Sequence, residues 1–165
     1  MNILKKDTLD NNVKNILNTE DSFEYEYISN NVEETKLLGE NFGKYIQKGD
    51  IIILNGELGS GKTVFLSGLA RYFGIETQVC SPTFTIVNEY DPSNGPTIFH
   101  FDVYRIKDSN DFMEGVGTDY FYLGASIIEW GDEIIPDIIP EYAIHIDISK
   151  SEDDTEKRIF KIWRK

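Results

Sequence analysis

Apolar residues recur along the chain with changing period, and each period predicts an element. Over residues 22–28, Phe23, Tyr25 and Tyr27 alternate with Glu24 and Glu26, the period of a half-buried strand. Asn31, with Glu34 three positions on, resembles a capping box. It opens a helix whose apolar positions Leu38, Phe42, Tyr45 and Ile46 recur every three or four residues until Gly49-Asp50 stops it. Residues 51–54, Ile-Ile-Ile-Leu, have no polar alternation, as expected of a strand buried on both faces of a mostly parallel sheet. Phe65, Leu66, Leu69, Ala70 and Phe73 then mark a helix over residues 62–73, with Gly74 where a left-handed cap belongs.

Beyond Pro82, residues 83–90 and 97–104 are both rich in aromatic and β-branched side chains. The turn formers Asp91-Pro92-Ser93-Asn94-Gly95-Pro96 separate them, which predicts an antiparallel hairpin. Residues 125–129 read as another buried strand. Residues 142–148 and 158–163 alternate on either side of a charged turn at 151–156, which predicts a terminal strand pair. Residues 1–21 are rich in Asn, Asp and Lys, with Ile3, Leu4, Val13, Ile16 and Leu17 at near-helical spacing. They read as a mobile or weakly docked extension, leaving residues 22–165 as one domain without internal repeats or low-complexity tracts.

Composition narrows the picture. A length of 165 residues suits a single domain, and 40% hydrophobic with 13% aromatic residues supplies one packed core. Sixteen Lys and Arg against 29 Asp and Glu give a net charge of −13, which repels phosphate backbones and disfavours unaided binding of DNA or RNA. No apolar run approaches the ~18 residues of a membrane span, and Met1-Asn2-Ile3-Leu4-Lys5-Lys6-Asp7 lacks the apolar stretch of a signal peptide. The expectation is a soluble, cytoplasmic protein. Cys80 is the only cysteine, which excludes an intramolecular disulfide or a Cys-based metal cage, and it reads as a small apolar residue.

One motif carries chemistry. Gly56-Glu57-Leu58-Gly59-Ser60-Gly61-Lys62-Thr63 matches G-x-x-x-x-G-K-[ST] and lies between a predicted buried strand and a predicted helix, the context a phosphate loop requires. Its glycines let backbone N–H groups converge on phosphate oxygens, and the helix N-terminus adds partial positive charge. Lys62 is suited to the β and γ phosphates, and Thr63 offers a hydroxyl to Mg²⁺. The sequence has no Asn-Lys-x-Asp guanine reader, which favours ATP over GTP.

Three further stretches follow in order: Ser81-Pro82-Thr83-Phe84-Thr85, His100-Phe101-Asp102-Val103-Tyr104-Arg105 and Ile128-Glu129-Trp130. With the loop, they make residues 22–163 resemble the TsaE family, the small ATP-binding component of the bacterial machinery that makes threonylcarbamoyladenosine at position 37 of transfer RNA. The resemblance implies a P-loop NTPase-like α/β fold, with a central, mostly parallel sheet flanked by antiparallel strands and helices. It implies ATP or ADP and Mg²⁺ as ligands, slow ATP hydrolysis, and action on the partners TsaD and TsaB, through which alone transfer RNA is reached. Residues 57–64 (Glu57, Leu58, Gly59, Ser60, Gly61, Lys62, Thr63 and Val64) then hold the nucleotide, and Val32 beside Asn31 borders the adenine. Thr63, Asp102 and Glu129 serve the metal, and Lys62, Asp102 and Glu129 the catalysis. Two positions depart from the family pattern: Val64, where many members carry a second Thr, and Gly131-Asp132, where Pro or Ser followed by Glu is more usual.

Competing readings stand beside these. Asp102 also reads as a solvated strand-end acid, and Glu129 as an exposed one. Ser81 and Thr83 are placed like a switch loop that senses the γ-phosphate, or are ordinary turn residues around Pro82. A lone His100 between Phe99 and Phe101 reads as a hydrogen-bonded structural residue before a proton relay. Arg105 is a charge stabiliser near phosphate or one half of an ion pair, and Trp130 a partner contact or a packing residue. The whole chain also admits two other functions, a small P-loop kinase or a non-catalytic nucleotide-dependent adaptor. Against the kinase, only Arg105 and Lys107 carry positive charge between Tyr104 and Ile127, so an arginine-rich lid is missing.

Overall fold

The computed structural model describes residues 2–3, 9–75, 81–82 and 85–165. The first elements are β1 (Asn2–Ile3), α1 (Leu9–Asn18), β2 (Phe23–Ser29), α2 (Val32–Tyr45), β3 (Ile51–Asn55) and α3 (Lys62–Tyr72). Then come β4 (Val87–Tyr90), β5 (Ile98–Asp102), α4 (Ser109–Gly115), α5 (Tyr120–Leu123), β6 (Ala125–Glu129), α6 (Gly131–Ile134), β7 (Ile144–Lys150) and β8 (Arg158–Arg164). The strands form one sheet in the order β1-β2-β8-β7-β3-β6-β5-β4. At its centre β7, β3, β6 and β5 run parallel, while β4 on one side and β8 and β2 on the other pair antiparallel. The predicted hairpin is the β4–β5 pair, shorter than the sequence suggested, and the predicted terminal pair is β7–β8.

The unbroken apolar run of β3 buries both faces of the sheet. Ile52 and Leu54 face a core with Phe42 of α2 and Phe65 and Leu69 of α3. Ile51 and Ile53 face another with Phe112 of α4 and Phe121 of α5. Helices α2 and α3 cross at two glycines: a Cβ on Gly39 would stand 2.0 Å from the Phe65 carbonyl oxygen, and one on Gly68 2.0 Å from that of Lys36. The cap of α2 is the predicted one, with the Asn31 side chain accepting from the Glu34 N–H at 2.9 Å. The Glu34 carboxylate reaches one residue further back than a capping box does, to the N–H of Asn30 at 2.9 Å.

The expectation of a weakly docked extension differs from the structure at α1. Leu9, Val13 and Ile16 are buried in the same core as α2 and α3, and Asp10 accepts from Lys44 at 2.7 Å and Tyr45 at 2.6 Å. Arg164 of β8 also donates to the carbonyl of Thr19, just past the helix. Three buried side chains at i, i+4 and i+7 are enough to dock an otherwise polar helix. Among the described residues no helix is long and apolar enough to cross a membrane.

Candidate functional site

The loop over residues 56–61 joins the carboxyl end of β3 to the start of α3. Gly56 adopts φ +139°, and a Cβ there would meet the Ile148 carbonyl at 2.4 Å, so a side chain does not fit. Gly61, at φ +117°, is the N-cap of α3 and brings no side-chain cap. Among the described residues no side chain caps the first turn of α3, an arrangement suited to anions at a helix N-terminus. Lys62 is buried against the loop: its Nζ donates to the carbonyls of Gly56 at 2.5 Å and Glu57 at 3.2 Å, and lies 4.5 Å from the centre of the Trp130 ring. Burial draws its ammonium below the ordinary lysine value, against the opposing pull of Glu129, Asp102 and Glu133. The Ser60 hydroxyl is buried and has no hydrogen-bond partner among the described residues.

Two carboxylates approach this loop from the neighbouring strands. The β5–β6 register sets Asp102 beside Glu129, each the last residue of its strand. Asp102 Oδ2 accepts from the Ser81 hydroxyl, and Oδ1 accepts from the Tyr104 N–H at 3.1 Å. Glu129 is buried, with Oε1 2.9 Å from Nε2 of the fully buried His100. Backbone outliers adjoin both acids. Trp130 follows Glu129 at φ +67°, and Ile86, whose carbonyl accepts from the Asp102 N–H at 2.9 Å, adopts φ +66°. A non-glycine residue held there costs about 1–3 kcal/mol and persists only where its surroundings impose it, often at a functional site.

These groups line one cavity of about 840 Å³. Residues 58–64, including Leu58, Gly59, Ser60, Gly61, Thr63 and Val64, form its floor, with Asp102 and Glu129 at one side. Asn31 and Val32 at the start of α2 form another wall, and Ser81, Arg105 and Trp130 also border the space. Glu57, expected to hold the nucleotide, does not line the cavity: its carbonyl accepts from Lys62 at 3.2 Å and from the Ser60 N–H at 3.1 Å, within the loop itself. Thr83 and Cys80 lie outside the described residues. The sequence reading missed Arg158, whose Nε donates to the Ser60 carbonyl at 2.9 Å across 98 residues of chain. It also missed Tyr104 as a wall, its ring 5.1 Å from that of Trp130. No local pattern announces a contact made by strand order alone.

Beside the loop lies a second polar group. Asn55, the last residue of β3, donates through Nδ2 to Asp132 at 2.6 Å and to Asp147 at 2.8 Å. Asp132 also lies 2.9 Å from Nδ1 of His145, and Asp147 accepts from the indole N–H of Trp163 at 2.8 Å. His145 and Trp163 stack with centroids 4.0 Å apart, closing a ring of five side chains. Burial opposes ionisation of Asp132, but the hydrogen bonds from His145 and Asn55 outweigh it and hold the carboxyl below the ordinary aspartate value.

The donor set suits a phosphate ester with its metal. A glycine loop, an uncapped helix start and one buried ammonium face two carboxylates and the Thr63 hydroxyl. Among the described residues, no three His, Cys, Asp or Glu side chains form a metal cage. The Thr63 hydroxyl and the Asp102 and Glu129 carboxylates, which all line the cavity, are hard oxygen donors of the kind Mg²⁺ takes beside phosphate oxygens and water.

The family model for "Threonylcarbamoyl adenosine biosynthesis protein TsaE" matches residues 29–159. The chain belongs to the TsaE family. The TsaE protein of Bacillus subtilis is 36% identical over 132 residues, covering 79% of this chain and 80% of its own. The TsaE protein of Aquifex aeolicus is 36% identical over 143 residues, covering 85% and 96%. That of Treponema pallidum is 34% identical over 122 residues, covering 73% and 88%. Each is named a tRNA threonylcarbamoyladenosine biosynthesis protein. Among solved structures, Bacillus subtilis YdiB superimposes with a TM-score of 0.66 at 28% identity, covering 88% of each chain. The TsaE family match takes in the glycine loop, both carboxylates and every residue that lines the cavity.

Proposed function

We propose that this TsaE family member is an ATPase subunit of the machinery that makes threonylcarbamoyladenosine in transfer RNA. It binds ATP with Mg²⁺ in the 840 Å³ cavity, hydrolyses it slowly alone, and acts on the TsaD–TsaB complex, where hydrolysis supports repeated rounds of modification. The observation that carries this reading is the convergence of Lys62, Thr63, Asp102 and Glu129 on one cavity.

The residues have separable tasks in it. Lys62 leaves the Gly56 and Glu57 carbonyls to meet the β and γ phosphates, and the loop N–H groups take the remaining oxygens. Thr63 and the acids Glu129 and Asp102 hold Mg²⁺ directly or through its waters. When bound, Mg²⁺ offsets the charge on the phosphate oxygens. Asp102, through its bond to Ser81, links the site to the segment that follows α3, as a γ-phosphate sensor requires. Val32 borders the base. With a net charge of −13, the chain reaches transfer RNA only through its partners.

Phosphate release from ATP, measured with and without TsaD–TsaB, tests this. Slow, Mg²⁺-dependent release that the partners stimulate is expected. Binding without release in either condition would make the protein a nucleotide-dependent adaptor, and phosphorylation of a small molecule would make it a kinase.

A further inference from the structure

His100 is fully buried and hydrogen-bonds to a carboxylate of the cavity. It stands on β5 two residues before Asp102, with its Nε2 on Oε1 of Glu129 at 2.9 Å. An ionised carboxylate only accepts hydrogen bonds, so the ring proton belongs on Nε2. Nδ1 is buried with no partner among the described residues. A histidine kept only for packing would be better replaced by an apolar residue, since an unsatisfied buried polar atom costs stability. Among the described residues its side chain hydrogen-bonds only to the Glu129 carboxylate.

We infer that His100 is a positioning residue for Glu129: it holds one carboxylate oxygen so that the other is presented to the metal of the phosphate site. The inference rests on the nucleotide-binding reading above. Outer hydrogen bonds of this kind to a ligating side chain typically contribute 10–100-fold in metal affinity.

Two polar substitutions separate positioning from packing. In His100→Gln the amide nitrogen falls near the place of Nε2, whereas in His100→Asn the shorter side chain cannot reach it. Affinity for a non-hydrolysable ATP analogue, measured by calorimetry with Mg²⁺ and with chelator, gives the gain that Mg²⁺ supplies. His100→Asn should lose about 10-fold or more of that gain, with affinity in chelator unchanged, and His100→Gln should stay near the wild type. Equal gains in all three proteins, or equal losses in both variants, would overturn the inference. Wild-type binding with no gain from Mg²⁺ would remove the metal role of Glu129 and this inference together, leaving nucleotide binding intact. Absence of any binding would defeat the proposed function itself. The wild-type protein offers a second readout if His100→Asn does not fold. The chain has 2 histidines, so ¹⁵N spectra resolve each ring. His100 should show the Nε2–H tautomer and should move when Mg²⁺ joins the analogue. An Nδ1–H tautomer, or a signal indifferent to Mg²⁺, would contradict the inference.

Discussion

Asp132 takes two hydrogen bonds on one oxygen, from Asn55 at the root of the phosphate loop and from His145 on β7. Those bonds depress its folded-state value below the ordinary 3.8. The stability they add is therefore complete above that ordinary value and is lost as pH falls through the depressed one. Asp132→Asn keeps the shape but removes the charge. Thermal melts of both proteins should show a constant deficit for the variant near neutral pH, shrinking as pH falls below about 4. A deficit unchanged down to pH ~2 would show that the charge of Asp132 contributes nothing. At this scale the loop glycines, Lys62 and Thr63 were legible, because their spacing is itself the chemistry. The ring around Asn55 was not. His145 meets Trp163, and Asn55 meets Asp147, only through strand register.

Helices α2 and α3 pack backbone close to backbone, and a glycine on each makes it possible. Replacing Gly68 by Ala favours the helix intrinsically by about 1 kcal/mol. The new Cβ, however, would stand 2.0 Å from the Lys36 carbonyl, a backbone atom that no rotamer change can move. Overpacking of this kind costs about 1–3 kcal/mol or more, so the steric effect should win. Gly68→Ala should lower the urea midpoint with little change in slope, whereas a raised midpoint would mean that the helices move apart freely. Strands β2, β3 and β6, helices α2 and α3 and the terminal pair were readable because each is long or apolar enough to show its period. Helices α4, α5 and α6, of 7, 4 and 4 residues, span two turns or fewer and leave no period to read. The docking of α1 was hidden by its polar composition, though Val13 and Ile16 were at the right spacing.

Across the whole molecule, the sheet order determines which residues meet. Placing β3 between β6 and β7 brings Glu129 to the phosphate loop, and the β7–β8 pair returns Arg158 to the Ser60 carbonyl. The family motifs foretold the first meeting, and nothing local foretold the second. On the proposed reading this chain of net charge −13 receives a polyphosphate in the cavity, where Lys62 is a buried cation. A hydrogen bond to a charged group contributes about 1.5–3 kcal/mol, a factor of at least about 10 in affinity. The decisive measurement is a calorimetric titration of Mg²⁺ and ATP into the wild type and Lys62→Ala, with both shown to be folded by their melts. Binding by the wild type that weakens at least ~10-fold in the variant is the expected result. Equal binding by the two proteins, or none by the wild type, would contradict the assignment of this loop as a nucleotide site.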